Sequence, residues 1–211
     1  MMPGYIACLL LLAGCILLAT GWKPYVAPGL SNVSICVIAA LTLILYVLPA
    51  WKLPVQGIVY IQPFAIPLML AGIVSLFARS TFTGSCYLVM VACLLSLIWG
   101  CLHSLYSYEP FLAWLKPGWD IPVLCGLLVS LLISDVRRQP GLLIWCSVLG
   151  EGFAAWLDQG SYYAVMGSAR WWDIVLLSYA VAICGNGAQA LAKAGGLRLS
   201  RIFARLGPKG G

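Results

Sequence analysis

Charge is what this sequence has least of. Only 9% of its 211 residues are Asp, Glu, Lys or Arg, against about 25% in a soluble domain. That is too little polar surface to coat a water-soluble globule. Histidine is reduced to His103. No polar linker, low-complexity stretch or internal repeat divides the chain, so a second folded domain and the repeat signature of many transporters are both missing. Enzyme signatures are missing too: there is no G-x-S-x-G, no H-E-x-x-H and no paired-glutamate protease pattern.

The nine cysteines contain no C-x-x-C pair and are odd in number. A disulfide scaffold or a zinc site is therefore not expected, and Cys101-x-His103 lacks the further ligands a metal needs. Cysteine reads here as a small apolar packing residue. Neither a metal nor an organic cofactor is expected.

What is present is hydrocarbon: 63% of the residues are apolar. A bilayer core of about 30 Å calls for roughly 20 apolar residues in a helix. The runs that approach this length are Gly4 to Gly21, Val33 to Ala50, Gly57 to Phe77, Ser85 to Leu105, Ile121 to Ser134, Leu142 to Gln159 and Ile174 to Ala192. The fifth holds 14 residues, which reach about 21 Å as a helix, so it borrows Pro117 to Asp120 or folds back. The expected fold is an all-α polytopic transmembrane bundle of seven spans, with six as the alternative. It occupies residues 1–192 and is followed by a tail at 193–211. The connections, such as Trp51 to Gln56 and Asp135 to Gly141, hold Pro, Gly, Trp and the scattered charges, which is turn and interface chemistry.

Orientation follows from the cations. With seven spans, one side collects Lys23, Arg79, Arg137, Arg138, Lys193, Arg198, Arg201, Arg205 and Lys209; the other has Lys52, Lys116 and Arg170. The first set belongs in the cytoplasm. The N-terminus is then outside and the C-terminus inside a cell membrane, of the kind that bounds a bacterial cytoplasm. If the fifth run does not cross, the N-terminal half flips.

The tail supplies most of the net charge of +6. From Leu197 to Leu206, the apolar Leu199, Ile202, Phe203 and Leu206 share one helical face, and Arg198, Arg201 and Arg205 share the other. Such a segment anchors on an anionic leaflet or docks a cytoplasmic partner. The bilayer is thus one expected partner, a second copy or another membrane protein is another, and nucleic acid is not, since no binding fold accompanies this short basic helix. At the other end, Leu12-Ala13-Gly14-Cys15 has the form of a lipobox. MMPGYIA has no basic residue, however, and ILLATGW continues the apolar run, so an uncleaved first helix is expected.

Glu151 is the residue that stands out, set in LLIWCSVLGEGFAAW between Gly150 and Gly152. An acid in hydrocarbon is costly and by default a candidate for function. Structural readings compete: the carboxyl is neutral, since desolvation disfavours its charged form, or it bonds across to another helix, or it pairs with a cation. Asp158 lies seven residues on, two turns along the same face and roughly 10 Å away. Gly150 and Ala154 favour close helix approach beside that face. Gln62, before Pro63 and Pro67 in the third run, and His103, at the end of the fourth, are the other polar candidates. In the seven-span arrangement His103 shares the outer side with Asp158, Arg170 and Asp173. A polar outer vestibule leading to Glu151 and Gln62 is then geometrically open.

In the seventh run Cys184, Ala188 and Ala192 form a small-residue stripe, and Asn186 and Gln189 lie three apart. This pattern points to close packing or self-association, with ion coordination by Asn186 as the alternative. Trp22, Trp51, Trp119, Trp171 and Trp172 stand at span ends, where indoles form interfacial belts.

Seven short-looped runs, with Gly-Ser-Ala-Arg-Trp-Trp-Asp at 167–173 before the last, resemble the small YphA-type multi-pass membrane proteins of Gram-positive, spore-forming bacteria. The resemblance implies the bundle and carries no functional residue. Two readings of function stand. One is a nonenzymatic membrane protein of assembly or interaction, supported by the stripe, the tail and the lack of catalytic motifs. The alternative is a small transporter or channel-like subunit using its intramembrane acids, with an intramembrane enzyme a distant third.

Overall fold

The computed structural model describes residues 3–22, 37, 40, 53–55, 59–63, 65–77, 80–109, 111, 118–158 and 162–206, with the backbone alone at 53–55 and 196–206. Among these residues there are six helices: α1 (Tyr5–Ala19), α2 (Ala65–Phe77), α3 (Phe82–Tyr108), α4 (Asp120–Leu132), α5 (Gln139–Leu157) and α6 (Ala169–Leu206). Three short strands accompany them: β1 (Leu53–Val55), β2 (Val59–Ile61) and β3 (Ala164–Met166). The expected second run, Val33 to Ala50, lies outside the described residues except at 37 and 40.

Three helices are long and apolar enough to cross a membrane: α3, α5 and Ala169–Gly195 of α6, with mean hydropathies of 2.2, 1.3 and 1.6. α1, α2 and α4 are shorter apolar helices of 15, 13 and 13 residues. Thirteen residues extend about 20 Å, short of a bilayer core. The weakness expected of the fifth run is therefore shared by the third. The third run was expected to be helical from Gly57, and this is corrected: Val59–Ile61 is strand, and the helix begins only at Ala65. Pro63 and Pro67 explain the late start, because each lacks a backbone N–H and is accommodated in a first turn more readily than deeper in a helix.

The strands form one small mixed sheet in the order β1-β2-β3. β1 pairs antiparallel with β2, and β2 parallel with β3, Val59 opposite Ala164 and Ile61 opposite Met166. The Gln62 amide extends the parallel ladder by donating to the Met166 carbonyl at 3.0 Å. β2 and β3 then turn into α2 and α6, so both helices start from the same end of the bundle. At Gly167 the chain leaves the ladder with φ +86°, in a position where a Cβ would sit 3.0 Å from that of Gln62.

Glycine pairs set the helix crossings. A Cβ on Gly150 of α5 would lie 2.6 Å from the Trp99 indole of α3, and one on Gly100 of α3 would lie 2.5 Å from Phe153. A Cβ on Gly126 of α4 would meet the Ser178 carbonyl of α6 at 2.4 Å, and one on Gly185 would meet Ser130 at 2.5 Å. Between α2 and α5, Gly141 brings its backbone against Gly72, whose oxygen would be 2.7 Å from an added Cβ. In a membrane, where burying apolar area gives no advantage over lipid, close backbone approach of this kind is what drives helix pairing. The resulting core holds Leu95, Trp99, Cys125, Val129, Leu142 and Cys146, all at 1% exposure or less.

The small-residue stripe of α6 is not part of that packing. Ser178, Ala182 and Gly185 face α4, whereas Cys184, Ala188 and Ala192 are exposed. Asn186 and Gln189, expected within the stripe's interface, point instead toward α5 and α4: one helical position separates the two faces. Two cysteines, Cys125 and Cys146, are buried packing residues; six others of the eight described are exposed along the apolar outer surface.

Candidate functional site

Glu151 sits two-thirds of the way along α5 with 4% of its surface exposed. Gly150 lets the Trp99 ring lie against the α5 backbone, and from there Trp99 Nε1 donates to Glu151 Oε1 at 3.4 Å. The other carboxylate oxygen, Oε2, accepts a short hydrogen bond from the Tyr162 hydroxyl. Tyr162 arrives from the segment between α5 and β3, and its ring contacts His103 of α3 with centroids 4.4 Å apart. Burial, followed by the adjacent Glu151 charge and the hydrogen bond to it, raises the Tyr162 phenol far above its ordinary value. The phenol thus stays a donor.

Two cavities share this carboxyl. The first, of about 190 Å³, is lined by Trp99, His103, Tyr106, Glu151 and Tyr162. The second, of about 380 Å³, is lined by Gln62, Glu151, Tyr162, Ser168, Arg170 and Trp171. Arg170 borders both and is exposed. Among the described residues, His103 Nδ1 and Trp171 Nε1 are buried without a hydrogen-bond partner. Buried polar groups of this sort are uncommon and call for an explanation. Among the described residues the lining offers one carboxyl group, Glu151, two basic side chains, Arg170 and His103, and several further hydrogen-bonding groups beside aromatic rings.

The polar residues singled out in the sequence divide into three groups. Glu151, Gln62 and His103 meet at the cavities. Asp158, at the C-terminal cap of α5, lies on the same face as Glu151 but accepts from Ser104 Oγ of α3 at 2.8 Å and lines neither cavity. Asn186 lies elsewhere: it exchanges hydrogen bonds of 2.7 and 3.1 Å with Gln139, which also donates to the Ile133 carbonyl at 2.8 Å. Its role here is a bond between α5 and α6. For Arg198, Arg201 and Arg205 the backbone alone is described, and it is helical.

Asp173, expected at the outer vestibule, caps α1: its carboxylate accepts from the Gly4 and Ala7 amides at 2.7 and 2.6 Å, the favourable arrangement for an anion at a helix N-terminus. Trp171 is also corrected. Expected in an interfacial belt, it is 2% exposed and packs edge-on against Trp172 with centroids 5.0 Å apart. Sequence reasoning missed Trp99 and Tyr162 as the partners of Glu151. Trp99 carried one faint signal, a bulky indole directly before Gly100; Tyr162, in a segment without periodicity, carried none.

These features describe a helical integral membrane protein with a polar cavity at one end of its bundle. The model of the YphA-like integral membrane protein family matches residues 29–201, and the chain belongs to that family. No curated protein and no solved structure matches it.

Proposed function

We propose that this integral membrane protein is nonenzymatic and binds a small polar solute in the cavities at Glu151, in the manner of a transporter or channel-like subunit. One observation carries the reading: an acid that is 4% exposed lines two cavities together with Arg170. A carboxyl needed only for packing would border no cavity, as Asn186, bonded to Gln139, borders neither of these. Seven crossings are part of the proposal, with the N-terminus outside. α1 and α2 both start at the cavity end, since Gly4 bonds to Asp173 and Gln62 adjoins Gly167, which supports a returning crossing between them. The α6 backbone, helical through Leu206, supports reading residues 193–206 as a helical extension of the last span that rests, with the remainder of the 193–211 tail, on an anionic leaflet.

The test is infrared difference spectroscopy of the full chain in bilayers, comparing wild type with Glu151→Gln. The expected result is a carboxylate band, lost in the variant, that shifts within seconds as water hydrogen-bonded to it is exchanged from H2O to D2O. A band that does not shift would make Glu151 a sealed packing residue.

The assembly reading retains one observation, the exposed stripe Cys184, Ala188 and Ala192. Its partner would be a second copy or another membrane protein. Oxidative cross-linking at Cys184 in native membranes tests it, a dimer band supporting self-association through this face and its absence removing it.

A further inference from the structure

The ligand class can be narrowed from the second cavity, and the narrowing rests on the binding role proposed above. Its lining holds charges of both signs, Glu151 and Arg170. Helix α6 begins at Ala169, so Ser168, Arg170 and Trp171, all lining the cavity, stand at a helix N-terminus. The positive end of the helix dipole favours an anion there. The Ser168 hydroxyl accepts from the Trp171 amide at 3.3 Å, but the Trp171 indole N–H, on a residue 98% buried, has no acceptor among the described residues. Among the described residues Arg170 makes no ion pair; the one such pair joins Arg138 to Asp135. This end therefore has a cation, a dipole and an orphaned donor, all asking for a negatively charged acceptor.

Glu151 lines the same cavity, beside the Tyr162 ring. Its carboxylate and that ring suit a cation, and a simple anion entering the cavity would be repelled by it. Arg170 and Glu151 together carry no net charge. A ligand that bonds to both groups carries one charge of each sign.

We propose that the cavity binds a small zwitterion of the amino-acid type, its carboxylate toward Arg170, Trp171 Nε1 and the start of α6, and its ammonium toward Glu151. At about 380 Å³ the space falls in the range of small-molecule sites and exceeds what an isolated inorganic ion needs.

The experiment uses the full chain in lipid nanodiscs, with isothermal titration and tryptophan fluorescence as readouts. The probes are free glycine, β-alanine and 4-aminobutyrate, which differ in charge separation, and the half-ligands acetate and methylammonium. At least one zwitterion should bind about tenfold or more tightly than either half-ligand. Glu151→Gln should weaken that zwitterion about tenfold and leave acetate unchanged or tighter. Arg170→Gln should weaken the zwitterion and acetate alike. Trp171→Phe keeps the ring, removes the N–H and should cost about tenfold for the zwitterion, with circular dichroism showing unchanged helicity. Acetate binding as well as every zwitterion, and tightening in Glu151→Gln, would mark a plain anion site. Methylammonium binding as well, indifferent to Arg170→Gln, would mark a cation site. Either result overturns the zwitterion while leaving a binding cavity. No binding by any zwitterion below about 1 mM also overturns it, and the binding role falls with it only if the Glu151 band fails to shift when bulk H2O is replaced by D2O.

Discussion

The two ends of the bundle both bury polar side chains, and they treat them in opposite ways. Near the start of α5, Gln139 and Asn186 bond to each other twice, Gln139 reaches the Ile133 carbonyl, and Gln189 reaches that of Ser130 at 3.0 Å. Near the start of α6, Glu151 has two donors, but among the described residues His103 Nδ1 and Trp171 Nε1 have no partner, and their residues each line a cavity. A closed set of hydrogen bonds is a device for holding helices together. An open set beside a cavity leaves bonding capacity for something else, and that difference separates packing from binding where composition does not.

The comparison can be broken most forcefully at the crossing both ends depend on. Gly150→Val should be the most damaging change, because its Cβ would lie 2.6 Å from the Trp99 ring and overpacking of this kind costs about 1–3 kcal/mol or more. A lowered unfolding midpoint in detergent, together with loss of the Trp99 fluorescence environment, is the expected outcome; a wild-type midpoint would show that α3 and α5 pack otherwise.

At the closed end, Asn186→Leu removes the donor to Oε1 of Gln139, which is fully buried, and leaves its bond to the Ile133 carbonyl. The expected loss is about 1–2 kcal/mol, the upper range for a membrane hydrogen bond. Asn186→Leu combined with Gln139→Leu should recover part of it, since replacing both partners removes the orphan. Equal losses in the single and double variants would contradict a paired network.

The open end should be less sensitive in stability. Tyr162→Phe keeps the ring against His103 and removes only the hydroxyl, so the midpoint should fall by less than about 1 kcal/mol, while the Glu151 carboxyl band shifts. If stability drops as far as in Asn186→Leu, the two ends are alike and the distinction fails.

The smallest effect is alkaline. The folded chain holds the Tyr162 proton more tightly than the unfolded chain does, so this group leaves stability unchanged at neutral pH. Stability then declines as pH rises past the ordinary phenol value of about 10. Between pH 10 and 11, Tyr162→Phe should lose less than wild type does; parallel declines would indicate an exposed, ordinary phenol.

Much of the scaffold was legible because a bilayer imposes a length and a composition on each crossing. α3, α5 and α6 stand where the long apolar runs stand, and the short α4 follows the short fifth run. The third run misled because apolar content does not distinguish a strand from a helix: Val59, Tyr60 and Ile61 suit either, and the pairing with Ala164 to Met166 comes from a segment about a hundred residues away. The α6 stripe misled for a related reason. Small residues occur on adjacent helical faces, Ser178, Ala182 and Gly185 on one and Cys184, Ala188 and Ala192 on the other, and only packing selects between them.

By itself the sequence determined residence in a membrane, the helical class, the family and the singular position of Glu151. These follow from local properties: hydropathy, run length and the cost of an acid in hydrocarbon. The tertiary structure alone decided the rest, including that Glu151 meets Trp99 and Tyr162, that Asp158 is bound to Ser104 and Asp173 to the start of α1, and that Gln62, Arg170 and Trp171 converge on one cavity. Such meetings depend on which glycines let backbones touch and on how two distant strands align, and neither is encoded in the neighbourhood of any one residue.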